Sequence, residues 1–330
     1  MSPFLTTLGG GSARGFGHAF RRSTTVAAPG QMAYTTVGNY YFTVPAGVTS
    51  LSMVCIGGGG GAGYGGGSLS YLNNFPVTPG WIMALQVGSA GAPEQQGFPS
   101  FVSPPNLTAV CFARGGGSSD ANIGTVSYLG GTSAPSNTTS GGGGAAGYSG
   151  DGGGGNSGGS AGYPGTGGSS GGGGGGGAIA ATDYYDLYWL KIAYAGGGGG
   201  GGTGILGTGS NGAGGAAGSA FAYSSIAYAD GGGGGGGGSG GTPGQGFSGY
   251  SEAQHGSSTG TTIGGNGGAG GAFGGSGGRR GFAELLTYNY DIEDWVPFLN
   301  NNGNDAYGAS GAVRIIWGAG RSYPSNAANV

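Results

Sequence analysis

The run Leu51-Ser52-Met53-Val54-Cys55-Ile56 followed by Gly57 to Gly61, Ala62 and Gly63 has the form of a strand leading into glycines, the opening of a dinucleotide-binding turn. That chemistry needs a helix directly after the glycines, whose N-terminus receives the pyrophosphate, and an acidic residue about 20 positions further on. Here Tyr64-Gly65-Gly66-Gly67-Ser68 follows, which does not nucleate a helix, and the first acidic residue of the chain is Glu94. A phosphate loop needs Gly-Lys-Ser/Thr, and the only lysine, Lys191, precedes Ile192. His18 and His255 have no metal-ligand partners at workable spacing and read as solvated loop residues. The acids are dispersed apart from Asp291, Glu293 and Asp294, which run on to Asn300, Asn301, Asn302, Asn304 and Asp305. An oxygen-rich loop of that kind can hold calcium, but the spacing matches no EF-hand, and turn chemistry is the favoured reading. The expectation is a chain with no catalytic residue, no cofactor and no metal. Cys55 and Cys111 lie in strand-like runs and read as buried free thiols rather than as a disulfide.

One cluster suits binding. Tyr184, Tyr185, Tyr188 and Trp189 lie together in Asp183-Tyr184-Tyr185-Asp186-Leu187-Tyr188-Trp189-Leu190. Tyrosine and tryptophan give large, rigid contact area at low entropic cost, so these four are the receptor-contact candidates. The competing reading is that they cap the glycine layer or pack between subunits. Arg14, Phe16, Phe20, Arg21 and Arg22, in the irregular leader 1–33, are the candidates for docking to a larger particle. Nine basic residues in 330 leave no nucleic-acid footprint, and no apolar run of about 18 residues predicts membrane insertion. The N-terminal sequence lacks the basic-then-apolar order of a signal peptide, which predicts release by lysis rather than secretion.

The elements that must position these residues are short. Tyr40 to Val44, Leu51 to Ile56, Ser68 to Leu72, Ile82 to Val87 and Leu107 to Ala113 read as strands spaced by turn signals such as Pro45-Ala46-Gly47 and Pro79-Gly80. They predict a small antiparallel β-sandwich over 34–114. Residues 115–280 form a glycine-dominated body with aromatic loops, and 281–330 a closing β segment made of Phe282 to Tyr290, an Asn-rich loop and a last strand, Ala312 to Trp317.

Glycine fills 95 of the 330 positions, against about 7% in ordinary globular chains. Such a chain would be disordered if it were also rich in charge and poor in aromatics. This one carries 19 Tyr, 13 Phe and 4 Trp, and only 6% charged residues. Glycine runs at 141–144, 152–155, 171–177, 196–202 and 231–238 disfavour a helix by roughly 1 kcal/mol per residue relative to alanine, and a strand gains nothing from absent side chains. The remaining regular option is an extended threefold helix of polyproline II type, rising about 3.1 Å per residue with no internal hydrogen bonds. Without side chains such helices can lie side by side and pair backbone to backbone. Collagen is excluded by the missing Gly-X-Y period. The fold class expected is mainly β with polyglycine II: a short antiparallel β-sandwich, a body of packed polyglycine II helices, and very little α-helix. The pairing is expected to be shared between chains.

The stretch Tyr41-Phe42-Thr43-Val44-Pro45-Ala46-Gly47-Val48, with Ile56 and its glycines, Val77-Thr78-Pro79-Gly80 and Val87-Gly88, resembles the glycine-rich domain of phage tail-fibre and virion proteins. The ending Val313-Arg314-Ile315-Ile316-Trp317-Gly318-Ala319-Gly320-Arg321-Ser322-Tyr323-Pro324 is similar to a C-terminal signature of structural proteins of marine cyanophages, as is the opening Gly11-Ser12-Ala13-Arg14-Gly15-Phe16-Gly17. The glycine body resembles the polyglycine II sandwich of phage tail-tip adhesins. The resemblance implies a non-enzymatic virion subunit, a homo-oligomer and in particular a homotrimer, docked to other virion proteins and meeting a host surface glycan or protein. Two rival readings are a capsid-decorating head fibre without receptor role and an extracellular filament-forming protein.

Overall fold

The computed structural model describes residues 27–133, 140–156, 167–169, 171–177, 180–186, 189–194, 196–207, 211–215, 220–223, 226–230, 234–238, 241, 244, 250–254, 266–289, 291–292 and 294–325. No helix occurs among them. The strands are β1 (Gly30–Tyr34), β2 (Gly38–Thr43), β3 (Ser50–Ile56), β4 (Leu69–Pro76), β5 (Ile82–Val87), β6 (Ser100–Ser103), β7 (Cys111–Ala113) and β8 (Val126–Tyr128). Seven more follow within and after the glycine region: β9 (Ala180–Asp186), β10 (Trp189–Tyr194), β11 (Ala220–Tyr223), β12 (Ile226–Asp230), β13 (Tyr250–Gln254), β14 (Phe282–Asn289) and β15 (Asp294–Asn302). The last is β16 (Ala312–Trp317).

Two antiparallel sheets hold the main core. One has the order β1-β16-β3-β4-β8, the other β2-β5-β6-β7. The sequence places β16 far from β3, yet Val313 pairs with Cys55 and Ile315 with Met53, so the last strand lies in the middle of the N-terminal sheet. A central strand needs apolar residues on both faces, and β3 and β16 have them. Alternate residues Leu51, Met53, Cys55, Val313 and Ile315 pack with Phe42, Met83, Leu85, Val87 and Val102 of the second sheet. The other face, Val54, Ile56, Ala312 and Ile316, packs with Leu69, Tyr71, Tyr148 and Tyr323. Three expected strands sit close to their predicted places, and Ile82–Val87 and Ala312–Trp317 coincide with theirs. The run Leu107 to Ala113 shortens to Cys111–Ala113, because Pro104 to Leu107 forms a turn with Asn106 at φ 58°. The leader boundary at residue 33 falls inside β1, which pairs with β16 from Gly30↔Trp317 to Tyr34↔Val313.

Cys55 and Cys111 are free and buried within this core. The Cys55 thiol points at the Cys111 carbonyl at 3.7 Å, and the Cys111 thiol donates to the Ser70 carbonyl at 3.4 Å. Burial, then the neighbouring Cys111 thiol, pushes the Cys55 ionisation well above the ordinary thiol range. Because both thiols are fully buried, neither reacts with a disulfide reagent in the folded chain at pH 8, and both react in guanidinium. Stoichiometric labelling of the native protein within minutes would contradict the core as drawn.

The glycine tracts form a second kind of architecture, joined by backbone hydrogen bonds outside any sheet. Tract 196–203 is at its centre. Its amides at Gly197, Gly200 and Thr203 donate to the carbonyls of Arg279, Ser276 and Phe273, and those at Gly198 and Gly201 to Gly176 and Gly173. Both neighbours run antiparallel to it. Its carbonyls at Gly197 and Gly200 accept from Gly268 and Gly271, those at Gly198 and Gly201 from Gly142 and Ala145, and those at Gly199 and Gly202 from Gly235 and Gly238. These three neighbours run parallel. Each neighbour is met every third residue, and every partner belongs to the same chain. The expected sharing between chains is thus not needed to satisfy these groups. Close approach explains the composition: a Cβ on Gly196, Gly199 or Gly202 would stand 2.1 Å from the carbonyl oxygens of Asn266, Ala269 and Ala272.

These registers also fix which end of the bundle each hairpin leaves from. Tract 171–177 leads into β9, and β10 leads into the antiparallel tract 196–203, so both strands stand at the end where residues 177 and 196 lie. Tract 212–215 runs parallel to 171–174 and leads towards β11, while 234–238, which follows β12, runs parallel to 199–202. The tract 274–279 runs antiparallel to 197–203 and leads into β14. β9 to β15 therefore emerge from one end of the bundle. They make a four-stranded sheet, β15-β14-β10-β9, and a three-stranded one, β11-β12-β13, which lie against each other. The two sheets that hold the main core occupy the other end, where Tyr148 donates its hydroxyl to the Gly204 carbonyl at 3.1 Å.

Candidate functional site

The aromatic candidates fall in strands rather than in an exposed loop. Tyr184 and Tyr185 belong to β9, and Trp189 opens β10. Trp189 stands opposite Asp186 and Leu190 opposite Tyr184, so the register shifts there and Tyr185 has no residue across from it. A bulge of this kind re-aims a strand near its turn. Tyr188 lies outside the described residues, as do Arg14, Phe16, Phe20, Arg21 and Arg22, and as do His18 and His255. The structure thus brings Tyr184, Tyr185 and Trp189 together at the distal end of the bundle. The segment is strand rather than loop because its aromatic residues, Leu190 and Ile192 favour pairing once β14 supplies a neighbour, with Leu190↔Leu286 and Ile192↔Glu284.

The oxygen-rich stretch is also corrected. Residues 294–302 form β15, with Asn300, Asn301 and Asn302 opposite Glu284, Ala283 and Phe282. Nine extended residues span about 30 Å, so the strand separates Asp291 and Asp294 from Asp305 and no single loop collects their oxygens. Asp291 is exposed. Asp305 instead accepts the Arg280 amide at 2.7 Å and faces the Arg280 guanidinium at 3.9 Å. Among the described residues no group of three or more His, Cys, Asp or Glu is placed to hold a metal ion.

Two features went unread in the sequence. The first is a buried cation. Arg314 of β16 is 1% exposed, donating to the Ile205 carbonyl at 3.0 Å and to the Gln31 side-chain oxygen. Arg321 donates to the same Gln31 oxygen at 3.2 Å and to the Gly30 carbonyl. Burial, then the positive charge of Arg314, lowers the Arg321 pKa. Tyr71, Tyr148 and Tyr323 stack beside them with centroids 5.8 to 6.2 Å apart. This knot fastens β1, β16 and the end of tract 196–207 to one another. In the sequence Arg314 stands out only as part of the terminal signature, because its partners Gln31 and Ile205 are over 100 residues away.

The buried phenols titrate abnormally. Burial raises the Tyr148 and Tyr323 ionisations, most strongly, and Tyr71 and Tyr34 less so. A phenol held neutral in the fold binds its proton more tightly there than in the unfolded chain. Its contribution is fully present below the unfolded value near 10 and is lost as pH rises through the folded value. The expected result is stability that is flat in this contribution up to about pH 10 and then falls, with tyrosinate absorbance at pH 11 short of the full complement until the chain unfolds. Complete ionisation of a still-folded protein at pH 11 would contradict it.

The second feature is a pair of clefts on either side of Ser118. One, of about 350 Å³, is lined by Tyr64, Arg114, Ser118, Thr132 and Ser133 between glycine turns. The other, of about 320 Å³, is lined by Gln95, Gln96, Phe98, Ser118 and Asp120. Ser118 donates its hydroxyl to the Asp120 carboxylate at 2.8 Å. Arg114 reaches only the Asp120 carbonyl, at 3.4 Å, and makes no ion pair among the described residues. Comparison of the chain with protein-family models and with curated proteins finds no match.

Proposed function

We propose that this chain is a non-enzymatic structural subunit of a virion fibre or adhesin, whose glycine body is a bundle of polyglycine II helices used as a rigid spacer. The observation that carries this reading is the pairing of tract 196–203 with five neighbours at every third residue. An extended helix with three residues per turn presents the same edge to the same neighbour at that interval, and only glycine lets the backbones meet. At about 3.1 Å per residue, a seven-residue tract spans about 22 Å. The spacer separates the sheets at one end, packed as a β-sandwich, from the β9–β15 module at the other. The sandwich end, from which the leader departs, attaches to other virion proteins. The far module, with Tyr184, Tyr185 and Trp189, meets the host surface. Copies of the chain assemble into the fibre through the sandwich and the module, since the tract amides already find partners within one chain.

Immunogold labelling of intact particles with an antibody against residues 180–194 tests this reading. The expected result is label at the free tip of a fibre. Label lying flush on the capsid, or a chain that never enters particles, overturns it.

A further inference from the structure

We propose that the paired clefts around Ser118 bind an acidic saccharide, a sugar carrying a carboxylate together with free hydroxyls, as in a hexuronic acid unit of a surface polysaccharide. The proposal stands apart from the virion reading, because it concerns binding by the isolated chain.

Each cleft is near the lower end of the roughly 300–1,000 Å³ typical of small-ligand sites, and they share the Ser118 wall. Because Ser118 lines both, a ligand of two linked rings could set one ring in each cleft across it. Charge decides the ligand class. The other described arginines each face a partner: Arg279 meets Glu94 at 3.4 Å although its buried Nε has none, Arg280 faces Asp305 at 3.9 Å, and Arg314 and Arg321 hold Gln31 and backbone carbonyls, while none of the four lines either cleft. Arg114 alone lines a cleft with a planar guanidinium whose one bond is a 3.4 Å contact to a carbonyl, leaving donors for a planar carboxylate. On the other side of Ser118, Asp120 and the amides Gln95 and Gln96 offer acceptors and donors that suit sugar hydroxyls. A plain anion such as phosphate would use Arg114 but leave Asp120, Gln95 and Gln96 without partners on the ligand, and a neutral sugar would leave Arg114 unused. A ligand with a carboxylate at one end and hydroxyls along its length satisfies both. Tyr64 in the first cleft and Phe98, 52% exposed, in the second supply an apolar ring for each sugar face.

The backbone at Arg114 is held independently of its side chain, through its amide to Asn122 at 2.9 Å and its carbonyl to the Ser68 amide at 3.1 Å. Arg114→Gln therefore keeps the fold, checked by its melting midpoint. Titrating the full chain with glucuronic acid, glucose or inorganic phosphate, followed by amide NMR shifts, tests the site. Glucuronic acid is expected to shift Gly115, Gly117 and Ser118 and to bind at least tenfold more tightly than glucose or phosphate. Arg114→Gln should cost at least tenfold in that affinity. Phe98→Ala, at a half-exposed ring, should weaken a glucuronic-acid disaccharide severalfold while leaving the monosaccharide unchanged. Equal binding of glucose removes the role of the charge, and equal binding of phosphate reduces the site to a bare anion contact. Either result, or an Arg114→Gln variant with unchanged affinity, overturns the proposal.

Discussion

Gly200→Ala destabilises the chain by about 3 kcal/mol or more, at the upper end of what overpacking costs. The added Cβ would stand 2.0 Å from the carbonyl oxygen of Gly143, with its carbonyl carbon at 2.3 Å. No flexible side chain is there to yield. Tract 142–145 could move away only by giving up the bonds from Gly142 to Gly198 and from Ala145 to Gly201. Gly200 also donates to Ser276 and accepts from Gly271, so a shift of Gly200 itself breaks two further bonds. Each lost bond that leaves a buried backbone group unpaired adds about 1–3 kcal/mol. The contrast is Ala269→Gly, at a tract position whose side chain is exposed, where only backbone entropy changes and the cost stays within about 1 kcal/mol. Denaturant midpoints of the two variants measure both. If Gly200→Ala melts with the wild type, the tracts are not packed backbone to backbone.

The second large effect is at the knot beneath β16. Arg314→Leu removes two charge-assisted hydrogen bonds in a site that water does not reach, at about 1.5–3 kcal/mol each. It strands the Ile205 carbonyl and leaves Arg321 to share Gln31 alone, so a loss of about 3–5 kcal/mol is expected. Arg314→Lys should recover little of it, because the one nitrogen of an ammonium does not reproduce the two separated nitrogens with which the guanidinium meets Ile205 and Gln31. A lysine variant as stable as wild type would show that charge alone, rather than the fork, holds the junction. Urea unfolding followed by tryptophan fluorescence reports it through Trp317, whose indole donates to the Ala28 carbonyl at 3.1 Å.

Local patterns carried the strands of the first sheets well, since Ile82–Val87 alternates as a half-buried strand must and Ala312–Trp317 is the short, mostly apolar run of a central strand buried on both faces. They could not say that Ala312–Trp317 slots between β1 and β3, because that neighbour relation is set by packing across 250 residues. β1 and β8 were missed for a related reason. Gly30-Gln31-Met32-Ala33-Tyr34 and Val126-Ser127-Tyr128 are too short or too mixed to signal a strand, and each becomes one only by joining a sheet edge. The glycine tracts announced close backbone packing through composition, but carry no side chain to encode which tract meets which. The clefts around Ser118 were illegible because Tyr64, Arg114 and Thr132 come from three separate glycine turns. The aromatic cluster was seen, though its strand conformation depends on β14, nearly 100 residues later.

The claim at the centre is that the glycine tracts are ordered architecture held by regular backbone pairing. Amide hydrogen exchange of Gly197, Gly198, Gly200, Gly201 and Thr203 tests it most directly, since each donates to a named carbonyl at 2.8 to 3.0 Å. The prediction is exchange slowed by about 10³-fold or more relative to an unstructured glycine peptide, together with and to the same degree as the β3 amides. Exchange of these five amides at the unprotected rate, while β3 stays protected, would contradict it.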